Sequence, residues 1–212
     1  MLELDGKCCL FSVGPMRTDV DPVRYLQNTS SGKMGLAFAK AAEKRGAKIQ
    51  VLLGPVESPM AEAFSCFEVH RYQSATDYEV SLHRLFPSCD IFFSLAAVLD
   101  FEVAALPQKI AREELGNELK LEIRKVPDFA AWAGRTKRSD QTLIAFAAES
   151  GNPEEMLVRA EAKRKRKNAD VILANPVRKG LGPGAEENEI WVIRPDQNTL
   201  HLGPCEKGIL AE

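Results

Sequence analysis

The chain has 212 residues, 45% of them apolar and 27% charged, and its 28 basic and 30 acidic side chains leave a net charge of −2. That length suits one domain, able to bury roughly 70% of its unfolded surface without staples. The balanced charge argues against a surface built as a whole for nucleic acid or acidic lipid, and no apolar run approaches the ~18–20 residues of a membrane span.

The start, MLELDGKCCLFSVG, carries two acids before its apolar stretch, unlike a secretory signal. KCCLFSVG (7–14) reads as a buried strand and KIQVLLGP (48–55) as another. Between them, GKMGLAFAKAAEKRGA (32–47) puts Met34, Leu36, Ala37, Phe38 and Ala41 on one face and Lys40, Glu43, Lys44 and Arg45 on the other. That spacing predicts a helix ended by Gly46. Strand, helix, strand implies a right-handed crossover in a parallel sheet. CFEVHRY (66–72) is a predicted strand, ATDYEVSLHRLF (75–86) a helix and CDIFFSLAAV (89–98) a central strand. The pattern then breaks, with few apolar runs over 99–118. LKLEIRKV (119–126) alternates strictly, which predicts a half-exposed strand at the sheet edge, suited to pairing between protomers. Pro127 opens a short helix, PDFAAWAG. The core resumes with TLIAFAAE (142–149), a helix over 152–167 and DVILAN (170–175). RKGLGPGAEENE (178–189) has the composition of a mobile loop. EIWVIRP and TLHLGP read as a closing hairpin. The expected class is α/β: one domain with a Rossmann-like, open, mainly parallel sheet, helices on both faces, and an inserted flap and edge strand near 99–126.

Five cysteines at 8, 9, 66, 89 and 205 are odd in number and irregularly spaced, which reads as reduced thiols in a cytoplasmic protein. His70, His83 and His201 are scattered, and neither HxxxH nor CxxC occurs, so a protein-built zinc site is not expected. SVGPMRTDVDPVRYLQNTSSGKMG joins the first strand to the first helix, where open parallel sheets bind ligands. Ser30, Ser31 and Gly32 would start that helix, and its free N–H groups, dipole and Lys33 suit a phosphate. Helix capping by Ser30 or Ser31 accounts for the same residues equally well. A Walker A loop is excluded because Gln27 stands where its first glycine belongs, and GPMRTD lacks the GxGxxG fingerprint of dinucleotide binding. KRKRKN (163–168) ends its helix with Lys163 and Lys167 on one face. Cations favoured at a helix C-terminus explain it simply, and a lysine pair aimed at a polyanion or a base carbonyl explains it too.

Several motifs in register carry a resemblance. DPVRYLQNTSSGKMG resembles the signature of phosphopantothenoylcysteine synthetases, the ligases of coenzyme A biosynthesis. AAVLDF (96–101), KIAR (109–112), KVPDF (125–129), AFAAES (145–150) and KRKRKNADVILAN are similar to further motifs of that family, in family order across roughly 7–175. The resemblance implies a homodimeric enzyme that joins 4′-phosphopantothenate to cysteine through an acyl-nucleotide, with CTP as co-substrate in preference to ATP, and with Mg2+. It further implies that Asn28 and Lys109 are catalytic. Arg24, reaching from the neighbouring protomer, would bind substrate with Asn28, Ala96, Ala97 and Asp100. Gly14, Ser30, Gly32, Gly35, Asp100, Lys109, Pro127, Asp128, Phe129, Phe146, Lys163, Lys167 and Asn175 would bind the nucleotide. For each a plainer role stands beside this one: core packing for Phe146 and the alanines, a strand-end cap for Asp100, an Asx turn for Asn175, a solvated charge for Arg24 and Lys109. The chain departs from the family at Pro15, Leu99, Val126 and in KIAR. It resembles only the synthetase half of the usual bacterial fusion, which leaves a separate decarboxylase as a partner. A non-catalytic relative that binds nucleotide or a protein is the competing reading.

Overall fold

The computed structural model describes residues 3–114, 118–178, 180–182 and 184–212. Its centre is an eight-stranded sheet. Strands β1 (Cys8–Val13), β4 (Lys48–Leu53), β5 (Glu68–Arg71), β6 (Ile91–Ser94), β9 (Thr142–Glu149) and β10 (Val171–Pro176) run parallel. The predicted closing hairpin, β11 (Glu187–Ile193) and β12 (Leu200–Glu206), adds antiparallel to β10. The spatial order is β12-β11-β10-β9-β6-β1-β4-β5, so the chain winds outward in both directions from β1 and β6. Both faces are covered, which is why β1 and β4 read as continuous apolar runs. Cys9, Phe11, Val13 and Val51 face helix α1 (Lys33–Lys44). Leu10, Leu52, Phe92 and Leu143 face α3 (Ala75–Leu85), α4 (Phe129–Thr136) and α5 (Pro153–Lys167). All five cysteines are free thiols. The two buried ones, Cys9 and Cys89, are pushed up to about 12 and about 11, first by desolvation.

Four features differ from the sequence expectation. Residues 17–27 form an antiparallel hairpin of β2 (Arg17–Asp21) and β3 (Arg24–Gln27) rather than a loop. Two short helices, α2 (Ser58–Ala63) and α6 (Lys207–Ala211), were not foreseen. Within 119–126 only β8 (Ile123–Lys125) is a strand, and it pairs with β7 (Phe101–Val103) in a separate ribbon. The apolar side of this segment does not reach a sheet edge. Leu121 instead caps a small cluster of Val20, Val103 and Ile110, and β5 and β12 are the edges of the main sheet. Finally, Glu187–Glu189 of the expected 178–189 loop belong to β11. The parts of these expectations that fall on 115–117, Lys179 and Pro183 lie outside the described residues, as does the beginning of the N-terminal stretch.

Candidate active site

The strand order reverses between β1 and β6, and the crevice at the carboxyl ends of such strands is where open α/β sheets hold ligands. A cleft of about 810 Å³ lies there, within the range of small-ligand sites. Gly14, which follows β1, lines it. The chain then makes the GPM turn, in which Pro15 bridges to Ala97 and Met16 N–H donates to the Ala97 carbonyl at 3.0 Å. Pro15 thus continues the β1–β6 pairing instead of opening a phosphate loop.

The hairpin returns the chain to the cleft at Asn28, whose Nδ2 donates to the carbonyls of Ala97 (3.2 Å) and Val98 (3.1 Å). This fixes the amide against the segment that follows β6 and carries Ala96, Ala97 and Asp100, all on the cleft wall. Gly32 caps α1 at φ 79°, a left-handed conformation that glycine tolerates. No side chain caps α1, so the expectation of a serine cap is corrected: Ser31 Oγ lies 3.5 Å from Lys33 N, at the limit of a hydrogen bond. Gly35 brings the helix onto β1, since a Cβ there would fall 2.5 Å from Val13 side-chain carbons. Ser30, Gly32, Lys33 and Gly35 all border the cleft, so an uncapped helix N-terminus with its positive dipole end meets it.

The opposite wall comes from α4, α5 and β9–β10. Pro127, Asp128, Phe129 and Phe146 line it, with Lys163, Lys167 and Asn175. Asp128 caps α4, its Oδ1 accepting from Ala131 N (3.0 Å) and from Lys167 Nζ (2.6 Å). Burial disfavours its charge, but these bonds outweigh that and hold the carboxyl below its ordinary range. Lys163 lies 2.6 Å from Glu149 Oε1, and Arg159 donates to Glu149 Oε2 at 3.0 Å. Glu149 is 6% exposed, yet the two cations likewise overcome desolvation and lower its pKa. Both lysines therefore face the cleft already held by carboxylates. Asn175 makes no Asx turn: it is buried, and its Oδ1 has no partner.

Two expected site residues stand outside this cleft. Arg24 binds Asp21 Oδ2 (3.0 Å) and the Ile110 carbonyl (3.3 Å). Lys109 is exposed next to Ile110, whose N–H donates to Asp21 at 3.2 Å. Asp21 thus ties the hairpin to the segment bearing Lys109. Sequence reasoning does not single out Lys125, Arg166, Asn188 or Lys207, which also line the cleft. Nothing in the patterning around Asn188 or Lys207 marks them, because β11 and α6 return them to the site from the far end of the chain. With Lys33, Lys163 and Lys167, six cations face the cleft against Asp100 and Asp128, although the whole chain is slightly acidic. Among the described residues no three His, Cys, Asp or Glu side chains converge on a metal position.

A Rossmann-like domain with a cation-lined cleft at its switch point is the class these features define. Comparison with known proteins gives the family: residues 4–212 match the DNA/pantothenate metabolism flavoprotein C-terminal domain, and the chain belongs to it. It is 37% identical over 195 residues to the coenzyme A biosynthesis bifunctional protein CoaBC of Escherichia coli (strain K12), covering 91% of this chain and 44% of that protein. It is 34% identical over 210 residues to a cysteine/cysteine sulfinic acid decarboxylase of an unknown prokaryotic organism, covering 98% and 56%. The chain thus spans about half the length of the curated relatives it matches. Among solved structures, the C-terminal domain of a CoaBC superposes with a TM-score of 0.77 at 30% identity, covering 98% of this chain and 91% of that one. The Streptococcus pneumoniae DNA/pantothenate metabolism flavoprotein has the same fold, with a TM-score of 0.78 at 15% identity and coverage of 97% and 95%. The resemblance to the synthetase half of the bifunctional proteins therefore holds.

Proposed function

We propose that this chain is a phosphopantothenate–cysteine ligase, with CTP as the activating nucleotide. One observation supports the reading above the others: segments far apart in sequence, at 28–35, 96–100, 127–129, 146, 163–167 and 175, converge on one cation-rich cleft. The reaction must crowd anions and then stabilise charge developing at phosphorus, and preorganised N–H groups and ammoniums suit that task. In the first step the substrate carboxylate attacks the α-phosphorus, the bond to the β-phosphate oxygen breaks, and pyrophosphate leaves. In the second the cysteine amine attacks the acyl carbon and expels the nucleoside monophosphate, leaving an amide. The α1 N-terminus and Lys33 would hold phosphate oxygens. Asn28, anchored on two carbonyls, would stand by the mixed anhydride, and Asp100, Ala96 and Ala97 by the pantothenate arm. Lys109 and Arg24 would complete the site across a homodimer, because neither lines its own chain's cleft.

With no carboxylate cluster in the described residues, Mg2+ would ride on the triphosphate and keep its waters, as that ion commonly does. When bound it would neutralise phosphate charge, and Asp100, rather than the Lys167-paired Asp128, is the cleft carboxylate that would face it. The reading places the protein in the cytoplasm; no described helix is long and apolar enough to cross a membrane.

The test is pyrophosphate release from 4′-phosphopantothenate, cysteine, Mg2+ and each nucleoside triphosphate in turn. CTP should exceed ATP by at least about tenfold in kcat/KM, since a site built to pair specific polar groups rejects a base lacking them. Equal use of ATP would remove the nucleotide assignment alone. The decarboxylase relative favours a second reading, in which this domain binds nucleotide or a partner protein without ligation. Nucleotide binding with no pyrophosphate release under any of these conditions would select it.

A further inference from the structure

Lys207 opens α6, a short helix lying against α1, and is 7% exposed. Its Nζ donates to the carbonyls of Gly182 (3.2 Å) and Ala185. Two of the three ammonium hydrogens are spent in this way, and the side chain borders the cleft. Burial, and then the nearby charge of Lys33, push its pKa below the ordinary lysine range. Two ammoniums held together in a place partly removed from water repel one another. The carboxylate that answers them is Glu186, which pairs with Lys33 and whose side chain is 81% exposed. Glu186 is therefore free to swing into solvent and yield its place.

A second, independent feature lies beside this pair. Asn188 is 2% exposed, its Oδ1 has no partner, and its Nδ2 meets only the Met34 sulfur at 3.8 Å. Asn175 Oδ1 is buried on the same cleft and is also unpartnered. Buried amides in native proteins are as a rule paired, so a group left open calls for a missing partner. The uncapped α1 N–H groups, the Lys33 and Lys207 ammoniums that both grip the segment Gly182–Glu186, and the Asn188 Nδ2 left with only a sulfur acceptor are all donors facing one cleft. A polyphosphate is the chain of acceptor oxygens that fits such a set.

We propose that Lys207 and Asn188, with Lys33, form the subsite for the distal phosphates of the nucleotide and for the pyrophosphate they become. Glu186 is the stand-in counter-ion displaced when it fills. This rests on the ligase reading for the nucleotide, but anion binding can be measured without turnover. Inorganic pyrophosphate and CMP are titrated calorimetrically into the wild-type protein and into the Lys207→Met, Lys33→Gln, Asn188→Ala and Glu186→Gln variants. Lys207→Met and Lys33→Gln should each weaken pyrophosphate binding by about tenfold or more. Asn188→Ala should weaken it by a few-fold, and CMP, which lacks the distal phosphates, should change less than about threefold. Glu186→Gln should tighten pyrophosphate, by removing its competitor. Lys33, on the surface of α1, keeps the test decisive should Lys207→Met fail to fold. Absent pyrophosphate binding by the wild type, or equal losses for CMP and pyrophosphate in folded variants, would overturn the subsite. Ligation with an unchanged KM for CTP in folded Lys207→Met would sink the subsite and leave the ligase reading standing. Lysine-dependent pyrophosphate binding without ligation would do the reverse.

Discussion

Glu149→Gln isolates the one buried carboxylate that the cleft wall depends on. Glu149 ends β9 with 6% exposure, between Lys163 at 2.6 Å and Arg159 at 3.0 Å. Removing one member of a fully buried pair costs ~3–5 kcal/mol, because a charge is stranded. Here the partners are 34% and 42% exposed and turn to water once released, so the expected loss is about 1–2 kcal/mol at pH 7. For a domain of this length that lowers Tm by about 2–8 °C. The sign with pH follows from the depressed Glu149 pKa. Its stabilisation is fully present above the ordinary glutamate value of 4.5 and is lost as the pH falls through the lower folded value. Urea melts of both proteins at pH 7, 5, 4 and 3 should therefore show a gap that is constant down to about pH 5 and closes in acid. A gap below about 0.3 kcal/mol at pH 7, or one that persists unchanged at pH 3, would refute the reasoning. The same variant frees Lys163, and a rise in its affinity for anions would show that Glu149 holds that lysine in check.

Three other outcomes are expected. Gly134→Ala places a Cβ 1.8 Å from the Lys167 carbonyl; backbone cannot swing aside, so a loss of ~1–3 kcal/mol in urea melts is expected, and an unchanged midpoint would contradict the α4–α5 contact. Lys109→Gln should slow acyl-nucleotide formation by roughly 10²-fold and leave Tm unchanged within about 2 °C, because the side chain is exposed. A large loss of stability with normal rate would make it a structural lysine. Mixing Arg24→Ala with Asn28→Ala protein should restore part of the activity through heterodimers carrying one intact site, and failure after verified subunit exchange would place both residues in one chain's cleft.

Much of the fold follows from local patterning. Continuous apolar runs at 8–13 and 48–53, separated by an amphipathic helix, admit little besides a crossover in a sheet covered on both faces. The cleft's position is legible for the same reason, because a ligand crevice follows from strand order and the segments at Gly14, Ala96–Asp100 and Asn175 sit at strand ends. Tertiary structure alone decided three matters. Alternation over 119–126 marks one wet face and one apolar face but not what the apolar face meets: Leu121 packs on a satellite cluster around Ile110, while Leu119 and Ile123 stay exposed. A lysine in sequence does not show its counter-ion, so only the packing of α5 on β9 and α4 revealed that Lys163 and Lys167 are held by Glu149 and Asp128. And Lys207 and Asn188, more than 150 residues from the start of α1, reach that helix because β11 returns antiparallel beside β10 and α6 then packs on α1. Short-range periodicity carries the elements; burial and charge pairing depend on contacts between residues distant in the chain, which no local pattern encodes.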